Sequence, residues 1–260
     1  MARSGDRPRR DERPGVRLGP MVFVSGLSTT PNDPWAHRKG EPRLFTLLWA
    51  IYLLLGAMGT IFATRTIGPP TATSYRAGCL AMLAVVAAGA TILWPAVRLS
   101  QGSPPRPIRS VLIDLGVILL PIQSVVWPMP MLTRWPWDVT SAMVMVITGW
   151  VLLVGAIVAQ GVMRPVGIGR AIRMALICIA IVGGPAIGVI GSARGWWSPT
   201  GGMLASPITA GWALAGTPPN LRPSMTALEW AACIAPCFAA AVAWTLISLR
   251  PTKSIRPSHP

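Results

Sequence analysis

Six hydrophobic runs of about twenty residues each dominate this sequence of 260 residues. They cover residues 44–63, 77–97, 110–127, 140–162, 171–190 and 225–249. Segments rich in helix breakers, among them 128–136, separate them and are expected to be loops. A helix rises 1.5 Å per residue, so each run can cross roughly 30 Å of hydrocarbon. The runs predict an all-α, polytopic integral membrane protein, a bundle of about six transmembrane helices.

Charged residues are scarce and are separated from these runs. They make up 12% of the chain, whereas soluble domains carry about a quarter. Between residues 44 and 249 the acidic residues are Asp114, Asp138 and Glu229. This segregation predicts a disordered basic N-tail (1–43), a transmembrane domain (44–249) and a basic C-tail (250–260). Met21 is an alternative start to Met1.

The basic residues alternate between the two sides of the predicted helices. The two tails and the second and fourth loops hold eighteen Arg and Lys, whereas the other loops hold five. Cytoplasmic loops of membrane proteins carry the excess of positive charge. The count therefore predicts a cell-membrane protein with both termini in the cytoplasm (N-in/C-in) and a long outer loop at 191–224.

Tryptophan residues fall near the predicted helix ends. Trp49, Trp94 and Trp244 lie toward the inner side, and Trp127 and Trp137 lie toward the outer side. Because the amphipathic indole favours the boundary between headgroups and hydrocarbon, these positions predict two interfacial belts.

The net charge of +15 raises the question of nucleic-acid binding. A nucleic-acid-binding domain would carry a basic stripe on a folded polar surface, interleaved with aromatic residues. Here the basic residues lie in tails and short loops, where they attract anionic headgroups. We therefore expect the lipid bilayer as the partner, including anionic lipids at the cytoplasmic face, and no nucleic acid.

The outer loop contains a further apolar stretch at 203–215. It is too short to span a bilayer, and Pro207 interrupts it. We expect it to lie at the interface or to enter the membrane partway. A lid over an outward-facing cavity is the functional alternative.

Two carboxylates fall inside predicted spans, where an ionisable group is costly. Asp114 lies toward the inner end of its span and Glu229 toward the outer end of its own. In the structural interpretation both reach water or an arginine such as Arg109 or Arg222. In the functional interpretation polar residues line a substrate path. The candidates for that path are Asp114, Gln123, Gln160 and Glu229.

Each of these carboxylates is followed seven residues later by a proline, Pro121 and Pro236. A proline in a helix frees a backbone carbonyl, which can bind a cation or a substrate. Inverted halves with broken helices are a common transporter plan. Chance is the competing explanation, since proline is frequent in membrane helices.

The fifth run contains Gly184, Pro185 and Gly188. Glycines four residues apart share a helix face and allow close approach of a neighbour, and the proline favours a kink. Internal packing is one interpretation, and a dimer face or hinge is the other.

Several kinds of chemistry lack their residues here. The histidines are His37 and His259, both outside residues 44–249, which excludes bis-histidine haem and a Ser–His dyad in the membrane. The four cysteines form no CxxC pair, and no GxxxxGKS/T loop is present. We expect no metal, no cofactor and no catalytic residues.

Two functional hypotheses follow. The first, which the sequence favours, is a non-enzymatic component of a membrane complex that binds a membrane-protein partner or a second copy of itself. The second is a small-solute transporter or permease that uses Asp114 and Glu229 in proline-broken helices. An interfacial lipid enzyme is a further alternative.

Overall fold

The structure, a computed structural model, describes residues 42–65, 71–104, 106–165, 167–195, 199–216 and 225–249. Within these residues every regular element is a helix, and no strand is present. The predicted basic tails lie outside the described residues, apart from the first two residues of the first helix.

Ten α-helices and one π-helical segment are present in this part of the chain. They are α1 (Pro42–Arg65), α2 (Ala72–Ala88), the π segment (Gly89–Leu93), α3 (Trp94–Ser100), α4 (Pro107–Val126), α5 (Met129–Thr133), α6 (Trp137–Val162), α7 (Ile168–Ala193), α8 (Pro199–Leu204), α9 (Ala210–Ala215) and α10 (Ala227–Ser248).

Five helical segments are long and apolar enough to cross a membrane. They are Ser74–Ser100, Pro107–Thr133, Trp137–Val162, Ile168–Ala193 and Ala227–Ser248. They identify the chain as an all-helical, multi-pass membrane protein. The first predicted span corresponds to α1, whose apolar part within the described residues, Phe45–Thr60, is shorter than the others.

Helix α1 packs antiparallel to α2 at the π segment. The Tyr52 hydroxyl donates to the Val85 carbonyl at 2.7 Å, and the rings of Trp49 and Tyr52 stack with centroids 5.4 Å apart. Gly89 permits this contact, because a Cβ there would lie 2.8 Å from the Tyr52 ring carbon Cζ. Trp49 and Trp94 are buried in the bundle at 4% and 2% exposure, so their indoles pack against neighbouring helices.

The proline-rich segment 128–136 was expected to be a loop, and this expectation was wrong in its first part, which forms α5. Pro130 lies in the first turn of α5, where a backbone N–H has no partner within the helix. The Thr133 hydroxyl donates to the Met129 carbonyl at 2.8 Å. Arg134 then ends the helix in the left-handed conformation, with φ at 55°.

Helix α6 lies at the centre of the bundle, with buried residues around its whole circumference. Helix α10 runs parallel to it, because the Cys237 thiol donates to the Met145 carbonyl at 3.3 Å and the Trp244 indole donates to the Leu152 carbonyl at 3.0 Å. The two helices approach closely at Gly149, where a Cβ would lie 2.7 Å from the backbone nitrogen of Cys237.

The apolar stretch 203–215 lies in a helical hairpin formed by α8 and α9, which are joined by the turn 205–209. A short connection reverses the chain between α6 and α7, and α10 runs parallel to α6. The segment between α7 and α10 therefore leaves and re-enters at the same end of the bundle.

The turn of this hairpin is inserted between the long helices. Ala205 contacts Gly184 of α7, Gly211 contacts Leu83 of α2, and Pro207 lines a small void together with Ile147 of α6. These partners are about ten residues from their helix ends, which places the turn roughly 15 Å inside the bundle. The turn therefore lies among the long helices and not on the surface of the bundle.

Candidate functional site

Asp114 forms an ion pair with Arg98. Arg98 lies on α3 and Asp114 on α4, and the Arg98 Nε and Asp114 Oδ2 atoms are 3.1 Å apart, with each side chain 11% exposed. The Arg98 guanidinium also donates to the Gln101 amide oxygen at 2.9 Å and to the Ser110 hydroxyl. Asp114 thus meets an arginine, as the structural interpretation expects, but the arginine is Arg98, and Arg109 is exposed on α4.

The apolar neighbours of Asp114 separate it from the other end of the bundle. On α4 the inward face beyond Asp114 carries Leu115, Ile118, Ile122 and Val126, which are 0–2% exposed. These side chains continue the buried core. The carboxylate therefore faces a cation at one end of the helix and a packed apolar layer toward the other.

A second buried cation, Arg170, connects the segment after α3 with the segment after α6. It is 3% exposed and donates to the carbonyls of Leu99 (3.2 Å), Gln101 and Arg164 (3.0 Å), and to the Ser103 hydroxyl (2.6 Å). Carbonyl dipoles and a hydroxyl thus replace water around the guanidinium. In the sequence, Arg170 enters only the count of basic residues on one side of the membrane. Its partners could not be predicted, because every residue has a backbone carbonyl.

Glu229 closes the N-terminus of α10. Its carboxylate accepts hydrogen bonds from the Thr226 backbone N–H at 2.7 Å and from the Thr226 hydroxyl at 2.9 Å. The Thr226 hydroxyl in turn accepts from the Glu229 N–H at 3.2 Å. This reciprocal capping box satisfies N–H groups that have no partner within a helix, and the negative charge suits the positive end of the helix dipole.

The two glutamines occupy separate places. The Gln123 side chain donates to the Thr148 hydroxyl at 3.1 Å and accepts from the Trp127 indole at 3.0 Å. Gln160 is half-buried near the C-terminal end of α6. Asp114 and Gln160 lie toward one end of the bundle and Glu229 lies at the other, because α10 runs parallel to α6. Among the described residues, no hydrogen bond or ion pair joins any two of the four.

Gly184 and Gly188 of α7 face α8 of the same chain. A Cβ on Gly184 would lie 2.8 Å from the Ala205 Cβ, and a Cβ on Gly202 would lie 2.6 Å from the Gly184 carbonyl oxygen and against the Gly188 Cα. This small-residue face is therefore occupied within the chain. Pro185 is half-buried between the two glycines.

The two prolines that follow the carboxylates have different surroundings. Pro236 is buried in the contact between α10 and α6, where a Cβ on Gly149 would lie 3.0 Å from the Pro236 Cβ. Pro121 is half-buried within α4. Pro236 thus fills a close helix contact, which gives it a packing role independent of any ligand.

The arrangement is a set of fixed polar cross-links. Its ionisable groups meet partners from the same chain, and no group of three His, Cys, Asp or Glu lies close enough to hold a metal ion within the described residues. Compared with known protein families, curated proteins and solved structures, the chain matches none of them.

Proposed function

We propose that the protein is a non-enzymatic component of a membrane complex, located in the cell membrane, with six spans and both termini in the cytoplasm. Helix α1 has 24 residues, which is long enough to add one further span, the first in chain order, to the five already described. Six spans also agree with the alternation of eighteen against five basic residues in the sequence.

The observation that carries this proposal is that Asp114, Glu229 and Arg170 are each engaged within the chain. Asp114 meets Arg98, Glu229 caps α10, and Arg170 binds loop carbonyls. A transporter or an enzyme requires polar groups that are free to meet a substrate. A subunit that acts through contacts requires only a stable frame and an accessible helix face.

Helix α10 offers such a face. Ala231, Ala235 and Ala239 are exposed and recur every four residues, and the neighbouring Phe238 is 71% exposed. Small residues at this spacing allow another helix to approach closely, while the aromatic ring adds contact area. This face suits a transmembrane helix of a partner or of a second copy.

The test is purification from native membranes in mild detergent, followed by sizing and identification of co-purifying proteins by mass spectrometry. We expect a partner, or a second copy, at fixed stoichiometry. A lone monomer in every mild detergent tested would overturn the proposal.

A pair of matched variants tests the face itself. Ala235→Phe places a bulky ring on the alanine row of α10, whereas Ala50→Phe makes the same change at an exposed position of α1. We expect the complex to be lost only with Ala235→Phe. Equal recovery of the complex from both variants would move the contact to another face.

The inserted hairpin α8–α9 favours the second candidate, a small-solute permease. Non-helical backbone at membrane depth is tolerated where it is buried in protein or lines a cavity, as in transporters. This reading predicts that Asp114→Asn abolishes solute uptake by proteoliposomes while expression stays normal. Uptake by the variant equal to that of the wild type would exclude Asp114 from a path.

A further inference from the structure

A cavity of about 620 Å³ lies between α1, α2 and the end of the span formed by α4 and α5. Leu53, Met82 and Val125 line its deep end, and Thr60, Tyr75 and Leu132 line the end nearest the helix termini. Its volume is within the range of small-ligand pockets in proteins.

The cavity extends along about two thirds of the thickness of one membrane leaflet. Seven residues separate Tyr75 from Met82 on α2, which corresponds to about 10 Å of helix. Half of the hydrocarbon core of a bilayer is about 15 Å thick. Leu54 and Leu132 line the cavity and are 60% and 52% exposed, so it opens sideways toward the bilayer.

The hydroxyl groups that line the cavity belong to the end nearest the helix termini. The Thr60 hydroxyl, which donates to the Ala57 carbonyl at 2.9 Å, and the phenol of Tyr75 lie there, whereas the deep end is formed by aliphatic side chains. A hydrocarbon chain that entered with its polar end toward the helix termini would meet matching chemistry along its length.

Arg76 follows the lining residue Tyr75 and contacts the residue after the lining residue Leu132, and it has no carboxylate partner. The Arg76 Nε donates to the Thr133 carbonyl at 2.9 Å, while its buried Nη1 has no hydrogen-bond partner. Arg134 follows at the end of α5. Within the described part of the chain, no carboxylate forms an ion pair with either arginine. Phosphate oxygens are favoured partners of guanidinium groups.

We propose that this cavity binds one acyl chain of an anionic phospholipid, with the lipid phosphate at the Arg76 end. The apolar depth, the lateral opening and the uncompensated arginines together match a lipid in polarity and in charge. This site is independent of the proposed role in a complex.

The first test uses the wild-type chain and needs no variant. The purified protein is placed in vesicles that contain a phosphatidylglycerol with a photoactivatable diazirine in its acyl chain, and the crosslinked peptides are mapped. We expect crosslinks concentrated in residues 53–60, 75–82 and 125–132. Crosslinks distributed evenly over the exposed faces of α7 and α10 would overturn the proposal, because they would indicate only the surrounding bilayer.

The second test separates the acyl chain from the headgroup by native mass spectrometry. Ala57→Phe fills the cavity, and Ala175→Phe makes the same change on the exposed face of α7. We expect one retained phospholipid on the wild type and on Ala175→Phe, and none on Ala57→Phe. A lipid retained equally by the two variants would contradict the cavity as its site.

The headgroup is tested with phosphatidylglycerol and phosphatidylcholine added to the delipidated protein. We expect a preference of about fivefold for the anionic lipid, as one arginine near a membrane surface provides. Arg76→Gln keeps a donor for Thr133 but removes the charge and is expected to abolish the preference. The control is Arg109→Gln, an exposed position on α4. An unchanged preference in Arg76→Gln would disprove the role of Arg76.

Discussion

Arg98 and Asp114 are held 3.1 Å apart, on two helices joined by a short loop, with each side chain 11% exposed. The pair lies where α3 ends and α4 has completed about two turns. Each charge offsets the desolvation of the other, so that removal of one leaves the second uncompensated. The pair therefore links the end of one span to the start of the next.

Removal of either member of this pair should destabilise the fold, and the two losses should not add. Asp114→Asn and Arg98→Gln are each expected to lower the thermal unfolding midpoint in detergent. The double variant should be less stable than wild type by less than the sum, with a coupling of about 1 to 3 kcal/mol. Strictly additive losses would show that the ion pair contributes nothing.

Glu229 should tolerate loss of its charge but not loss of its hydrogen bonds. Glutamine can also accept from the Thr226 N–H, so Glu229→Gln should lose only the interaction of the charge with the helix dipole, about 0.5 kcal/mol. Glu229→Ala removes the cap and should cost about 1 kcal/mol, measured by thermal unfolding. Equal unfolding midpoints for Glu229→Gln and Glu229→Ala would show that the hydrogen bonds of the cap contribute nothing.

The hairpin α8–α9 should depend on Gly202 and not on its neighbour Gly201. A Cβ on Gly202 would lie 2.6 Å from the Gly184 carbonyl oxygen, whereas one on Gly201 would meet nothing within 4 Å. Gly202→Ala is expected to displace the hairpin and to expose a cysteine introduced at Ser206 to a water-soluble maleimide. Gly201→Ala should leave that cysteine protected. Labelling at equal rates in both variants would contradict the inserted position of the turn.

The contact between α6 and α10 should fail when a methyl group is added at Gly149. The added Cβ would lie 2.7 Å from the Cys237 backbone nitrogen, which cannot move without shifting the helix. Gly149→Ala is expected to cost about 1 to 3 kcal/mol in thermal stability. Gly116→Ala on α4, where a Cβ meets nothing within 4 Å, is the control and should be neutral or slightly stabilising. Equal midpoints for the two variants would rule out close packing here.

The long helices and their approximate ends could be predicted from the sequence because a bilayer imposes a length and a composition on whatever crosses it. The predicted run 140–162 lies within α6, which begins at Trp137 and ends at Val162. The prediction of a loop at 128–136 was wrong because proline usually breaks a helix. Pro130, however, lies in the first turn of α5, where proline is tolerated.

The partners of the polar residues could not be predicted. Asp114 and Glu229 are alike in the sequence, since each is followed by a proline after seven residues. In the structure one meets a cation from the preceding span and the other caps its own helix. Which of these occurs depends on the orientation of helix faces, and hydropathy carries no information about that orientation.

Hydropathy was enough to predict a helical membrane protein, because burial of apolar runs in lipid depends on length and hydrophobicity alone. The contacts of Gly184 and Gly188 with α8, the parallel course of α10 and α6, and the cavity beside α1 emerged only in the folded structure. These features arise from the close fit of particular side chains across helices, and such a fit exists only once the helices have packed.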